Sequence, residues 1–290
     1  MVKEIKAKSI LLYNKRPASW FGVHYYINIY RGCTHGCIYC DSRSECYGID
    51  NFDDEISVKV NAIDLLKESV AKKRTHETIG FGSTSDPYVG IEKKYELTRQ
   101  ALIVAKDFFH PVFILTKSDL VIRDLDLLTE INNRNYACVA FTITTADDDL
   151  AKFIEPGAPL PSKRFRAMSI LSAMGIKTGV NIMPMIPFLT DSKDNLENIF
   201  KKAREAGASF VFPSYSVTLR DRQRDYFLNK LDPSLKQKYI LSYKNYYNCV
   251  SFNYKDLKRC VHELAIKYQI SMEMPSYDKE NSASQLNFPI

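Results

Sequence analysis

Short apolar runs rich in β-forming residues alternate with longer stretches of helical period between residues 25 and 217. That alternation restricts the chain to repeated βα units on a parallel sheet. Strands are expected over 25–30 (YYINIY), 78–83 (TIGFGS), 112–117 (VFILTK), 138–144 (CVAFTIT), 178–186 (TGVNIMPMI) and 209–217 (SFVFPSYSV). Helices are expected between them, over 61–73, 94–109, 121–131, 162–174 and 192–206. Gly175 and Gly207 each follow a helical run and precede a strand, where a left-handed C-cap belongs. Beyond residue 220 the pattern turns helical only, in 232–248 and 254–269. The expected organisation is a barrel-like unit over 1–220 with a helical extension over 221–290 packed on it, since no Pro-, Gly- or Ser-rich linker separates them.

Composition narrows the class. Hydrophobic residues make up 45% of the 290 and charged residues 26%, which suits an ordered soluble fold and not a disordered chain. No run approaches the roughly eighteen apolar residues that a membrane span requires, and the first residues lack a signal-peptide core. A cytoplasmic protein is expected, without a membrane partner. The 40 Lys and Arg against 34 Asp and Glu leave a net charge of +6, which admits an acidic partner such as nucleic acid without demanding one.

In parallel βα folds chemistry gathers where strands end and helix N-termini point inward. Polar residues recur there: Ser83 to Asp86, Lys117 and Ser118, Thr142, Thr144 and Thr145, Asn181, then Ser214 and Ser216. After the first strand comes RGCTHGCIYC, with Cys33, Cys37 and Cys40 in C-x3-C-x2-C spacing. In a reducing compartment these read as metal ligands more readily than as disulfide partners. A closed zinc site wants four ligands. Three close thiolates suit an iron–sulfur cluster with one iron left open, unless Cys46 or His35 supplies a fourth ligand. Cys138, Cys249 and Cys260 lie in apolar or helical contexts and read as core. Glu155 and Arg166 are expected to pair structurally and Ser162 to cap the helix that follows, while the run 220–225 is expected to be a solvated face, with a phosphate-binding strip at Arg220, Arg222 and Arg224 as the lesser alternative.

The stretch CTHGCIYC resembles the signature of the radical S-adenosylmethionine (SAM) enzymes, in which an aromatic residue precedes the last cysteine. More narrowly, the chain resembles their spore photoproduct lyase-like branch. The likeness runs through 28–43, 84–99, 114–128, 141–167 and 181–192. It implies an α/β fold, a partial (β/α)6 TIM-like barrel of the radical SAM type with the helical C-terminal extension. A [4Fe-4S] cluster would sit on Cys33, Cys37 and Cys40, with SAM on the open iron. One electron from a flavodoxin- or ferredoxin-like donor would then cleave SAM to a 5′-deoxyadenosyl radical that abstracts hydrogen from substrate. The resemblance places SAM contacts at Ser85 and Lys117, and makes Tyr39, Thr142 and Thr144 further candidates. It also carries a departure: where the lesion-repairing lyase has its hydrogen-donating cysteine, this chain has Ser83, whose O–H bond is a poor hydrogen-atom source. A lyase-like reaction on an unidentified substrate, nucleic acid included, is the leading expectation. An iron–sulfur protein that does not cleave SAM is the rival.

Overall fold

The computed structural model describes residues 1–15, 23–49, 52 and 55–275. Six parallel strands follow one another in chain order: β1 (Tyr25–Ile27), β2 (Ile79–Phe81), β3 (Val112–Thr116), β4 (Ala137–Thr142), β5 (Lys177–Ile182) and β6 (Phe210–Pro213). Every residue of β4 is buried, as expected of a central parallel strand covered on both faces. The crossovers carry α1 (Ala62–Ala71), α2 (Leu97–Asp107), α3 (Leu125–Arg134), α4 (Asp148–Ile154), α5 (Pro161–Ala173) and α6 (Lys193–Glu205). The apolar faces of α1, α2, α3, α5 and α6 pack in the main core with Val139, Phe141, Val180 and Ile182 of the sheet, while α4 turns Ile154 to a separate cluster.

The opposite face carries Phe113, Cys138, Ala140 and Phe210 in a second buried cluster, and Tyr26 of β1 and Phe212 of β6 both pack against it. This cluster thus runs along the face from the first strand to the last. Gly179 gives the Phe210 ring of the neighbouring strand its room, since a Cβ on it would come within 2.3 Å of that ring. Gly175 and Gly207 have φ of +76°, as their C-cap positions require.

The first strand is shorter than its apolar run. At Asn28 the side chain bonds Ser83 Oγ and the Thr84 amide, and Lys59 Nζ donates to the Asn28 carbonyl at 2.6 Å. The chain therefore changes sheets, and Tyr30–Arg31 pairs instead with Ile56–Lys59, itself parallel to Val2–Ile5. The run over 209–217 likewise splits, because Ser216–Thr218 (β7) leaves β6 to pair antiparallel with Asn248–Val250 (β8). The C-terminal part is thus not helical only: β8 lies among α7 (Asp221–Lys230), α8 (Pro233–Tyr243) and α9 (Tyr254–Tyr268). Residues 276–290 of the expected extension fall outside the described residues. Among those described, no helix is long and apolar enough to cross a membrane.

Two further expectations are corrected. Pro161 opens α5, and Ser162 is no cap; its Oγ donates to Asp148 Oδ2 at 2.6 Å. Glu155 pairs with Arg164, at 2.5 Å, and Arg166 is exposed. Two positions along a helix turn a side chain about 200° away, so residues 164 and 166 cannot share a face.

The segments after β2 and β3 owe much of their character to a buried charge network. Glu92 accepts from Tyr30 Oη, the Thr98 amide and Arg123, while Asp124 accepts from Tyr88 Oη, Arg99 and Arg123. Both carboxylates are fully buried. The network ties the strand that enters the cysteine loop to α2 and to the turn before α3.

Candidate active site

At the C-terminal ends of the strands lies a cavity of about 490 Å³. Cys33, Cys37 and Cys40 all line it, beside His35, Tyr39, Ser85, Asp86, Lys117 and Thr142. The three thiols come from the loop after β1. They are not drawn round a single point: among the described residues no group of three or more His, Cys, Asp or Glu gathers closely enough for one metal ion. A polynuclear cluster spaces its thiolates more widely than a single ion does. Burial raises the pKa of all three thiols, that of Cys37 to about 12, so a cationic iron site is what would make them thiolates. Soft donors without disulfide partners, on one loop and one cavity wall, fit an iron–sulfur cluster.

Two elements mould the loop. From α4 onwards, Ile154 O accepts from the Ile38 amide, and the Gly157 amide donates to His35 O at 2.9 Å. Gly157 lies so close that a Cβ would come within 2.1 Å of Thr34 O. From the C-terminal side, Gln223 Nε2 donates to Tyr39 O, Arg222 Nε to Arg43 O, Arg220 and Thr218 to Asp41, and Ser44 Oγ to Asp221. Leu219, Phe227 and Tyr239 complete a cluster with Cys37, Ile38 and Tyr39.

The loop after β2 supplies the rest. Ser85 Oγ donates to Gly32 O at 2.5 Å. Asp86 accepts from Thr116 Oγ1 and from the Lys117 amide, each at 2.7 Å, and lies 3.0 Å from His35 Nε2. Burial alone would raise the Asp86 carboxyl, but His35 and these donors hold it down to about 2. His35 turns Nε2 to Asp86 and leaves a buried Nδ1 without a hydrogen-bond partner among the described residues, on the wall of the same cavity. Cys46 is exposed and off the cavity. Lys117 Nζ stands 5.5 Å over the Tyr39 ring, and among the described residues no oxygen accepts from it. Burial works against its charge, yet Cys37 and Glu155 more than offset this and its pKa is raised. Thr142 lines the cavity; Thr144 is buried beside it without lining it.

A family model described as the Radical SAM superfamily matches residues 27–207. The chain belongs to the radical SAM superfamily. A protein of Mycobacterium tuberculosis described as uncharacterized is 31% identical over 251 residues, 83% of this chain and 73% of that one. The radical SAM Nalpha-GlyT isomerase of Pseudomonas phage M6 is 26% identical over 184 residues, 63% of this chain and 37% of that one. Among solved structures, spore photoproduct lyase complexed with dinucleoside spore photoproduct superposes with a TM-score of 0.66 at 16% identity, covering 92% of this chain and 79% of that chain. That likeness is one of fold.

In this radical SAM chain the cavity is also lined by Asp41, Tyr47, Met183, Pro184, Ser214, Ser216, Thr218 and Tyr247. Asp41, Tyr47 and Tyr247 carry no signal in the sequence: Tyr47 Oη donates to Asp41 at 2.8 Å, and Arg220, bonded to Asp41, stands over the rings of both tyrosines. The sequence reading passed over the pairing of Glu155 with Arg164, for which the burial period of α5 was the available signal. The three arginines of the basic strip are spent internally: Arg220 on Asp41, Arg222 on the carbonyls of Arg43 and Ile49, Arg224 on those of Lys244 and Tyr246.

Proposed function

We propose that the chain is an enzyme in which Cys33, Cys37 and Cys40 hold a [4Fe-4S] cluster and the cavity beside them binds SAM. When bound, the pair supplies one-electron cleavage of SAM to a 5′-deoxyadenosyl radical. The observation that carries this reading is a charged lysine without an oxygen partner facing the same cavity as three unpaired thiols. Lys117 would take the SAM carboxylate by a charge-assisted contact. Asp86, by accepting from the Lys117 amide and the Thr116 hydroxyl, holds that strand end in place. Tyr39 and Thr142 would line the adenosyl side, while Met183, Pro184 and Val217 keep water from it. Ser85, with its hydroxyl given to Gly32 O, supports the loop rather than reaching the cofactor, and Thr144 would act only from behind Thr142.

For the substrate we infer a nucleic acid held by aromatic residues rather than by the arginines. Tyr247 is on the cavity wall, its chain neighbour Tyr246 is 65% exposed, and Phe252, which follows the strand after them, is 69% exposed. Phe252 stacks on Phe188, over which Lys238 Nζ stands at 4.1 Å. Exposed rings with a neighbouring cation suit stacked bases and their phosphates. The dinucleoside spore photoproduct bound to the similarly folded lyase supports the same class. Ser83 lines the cavity but shares its hydroxyl with Asn28, which argues against repair by a cysteine-type hydrogen return. The segment 221–290 belongs with the barrel in this reading, and a flavodoxin- or ferredoxin-like donor in the cytoplasm would supply the electron. Anaerobic reconstitution with iron and sulfide, reduction with SAM and measurement of 5′-deoxyadenosine tests the reading. A yield no higher than that of the C33A/C37A/C40A protein would overturn it.

A further inference from the structure

Glu155 and Arg164 form an ion pair that is almost wholly buried behind the cysteine loop, with side chains 1% exposed. Such a pair stabilises a fold little, if at all, beyond what apolar residues of the same volume would, so its position asks for another role. One Glu155 oxygen accepts from Tyr39 Oη and the other meets Arg164. Arg164 is itself fixed, Nε donating to Pro159 O at 2.7 Å and Nη1 to Thr142 O at 2.9 Å. The Tyr39 ring in turn lies under the Lys117 ammonium. One chain of contacts thus runs from a cavity-lining strand end, through the buried pair and the tyrosine beside Cys40, to the free lysine.

We propose that Glu155 is a positioning residue that fixes Tyr39 beneath Lys117 and, by its charge, lowers the electron affinity of the cluster site, with Arg164 as its counter-charge. This rests on the cluster reading above. A carboxylate in a water-free pocket opposes the arrival of an electron nearby more than the same group in water would, and charge and hydrogen bonding around a cluster set its potential.

The test is a potentiometric titration of the reconstituted full-length protein without SAM, followed by the cluster's visible and paramagnetic signals. E155Q keeps the hydrogen-bonding shape and removes the charge; it should hold iron and be reduced at a more positive potential than wild type. E155D keeps the charge and should stay at the wild-type potential. Tyr39→Phe, which cuts the link but leaves the carboxylate ionised, should also keep the potential and bind SAM several-fold more weakly. E155Q at the wild-type potential, E155D shifted as far as E155Q, or Tyr39→Phe with unchanged SAM affinity would each overturn the proposal. Should E155Q hold no iron, E155Q/R164M removes the stranded cation and should hold it again; a double variant equally poor in iron overturns the proposal too. Wild-type protein that takes up the electron but forms no 5′-deoxyadenosine defeats the function proposed above and leaves this comparison standing.

Discussion

Lys117 and His110 show two ways in which burial acts on a single charge. The Lys117 ammonium is kept charged by its neighbours yet lacks an oxygen partner among the described residues, so Lys117→Ala should leave iron content unchanged and weaken SAM binding. A lost charge-assisted contact costs about 1.5–3 kcal/mol, roughly 10- to 150-fold in affinity. Equal SAM titrations for the two proteins would return Lys117 to a structural role. His110, by contrast, is buried with Nδ1 2.8 Å from Glu77 O and the His76 ring at its edge. Burial lowers its pKa below 6.5, so the fold prefers the neutral ring and the unfolded chain takes up the proton first. Its contribution is whole above about pH 6.5 and is lost as pH falls through the lower folded value. Thermal midpoints of wild type should therefore fall more than those of His110→Gln between about pH 7.5 and about pH 5.5, and parallel curves would refute this. Of these residues the sequence announced the cysteines and Lys117, because spacing and strand-end position are local. It could not announce Glu155 with Arg164 or Asp41 with Arg220, whose partners are set by how loops fold over one another.

At the scale of elements, most strand and helix positions could be read from hydrophobic period alone, since each βα unit buries its own apolar face, while the barrel-like arrangement came with the family resemblance. Where the reading failed, at Asn28 and at Pro213, a continuous apolar run changes sheets in mid-course, and period cannot register a change of partner. The connection after α4 is the element whose fit is tightest. Gly157→Ala sets a Cβ against the Thr34 carbonyl, and backbone cannot yield as a flexible side chain can. The loop should shift from its mould, and reconstituted Gly157→Ala should retain far less iron than wild type while its far-ultraviolet circular dichroism stays the same. Wild-type iron content would mean that the segment from 154 to 157 does not shape the cluster loop.

Across the whole molecule, the net charge of +6 is too small to predict where an acidic partner would lie, and the basic strip proves to be mortar between segments. DNA affinity should thus depend on rings more than on Arg220 to Arg224. Tyr246→Ala and Phe252→Ala should each lose about 1–3 kcal/mol with single-stranded DNA, roughly 5- to 150-fold. Arg222→Ala should lower the unfolding midpoint first. Loss of binding only in the arginine variants, with their stability intact, would reverse that assignment. The grip of residues 218 to 223 on the cysteine loop spans up to 184 positions of sequence, and it orders events in time. A ribosome adding about 5–20 residues per second leaves the thiols waiting roughly ten to forty seconds before their last neighbours emerge. If the loop holds the proposed cluster, its moulded form is complete only after residue 223 has left the ribosome, and until then the nascent loop is a stretch of bare, oxidisable sulfur.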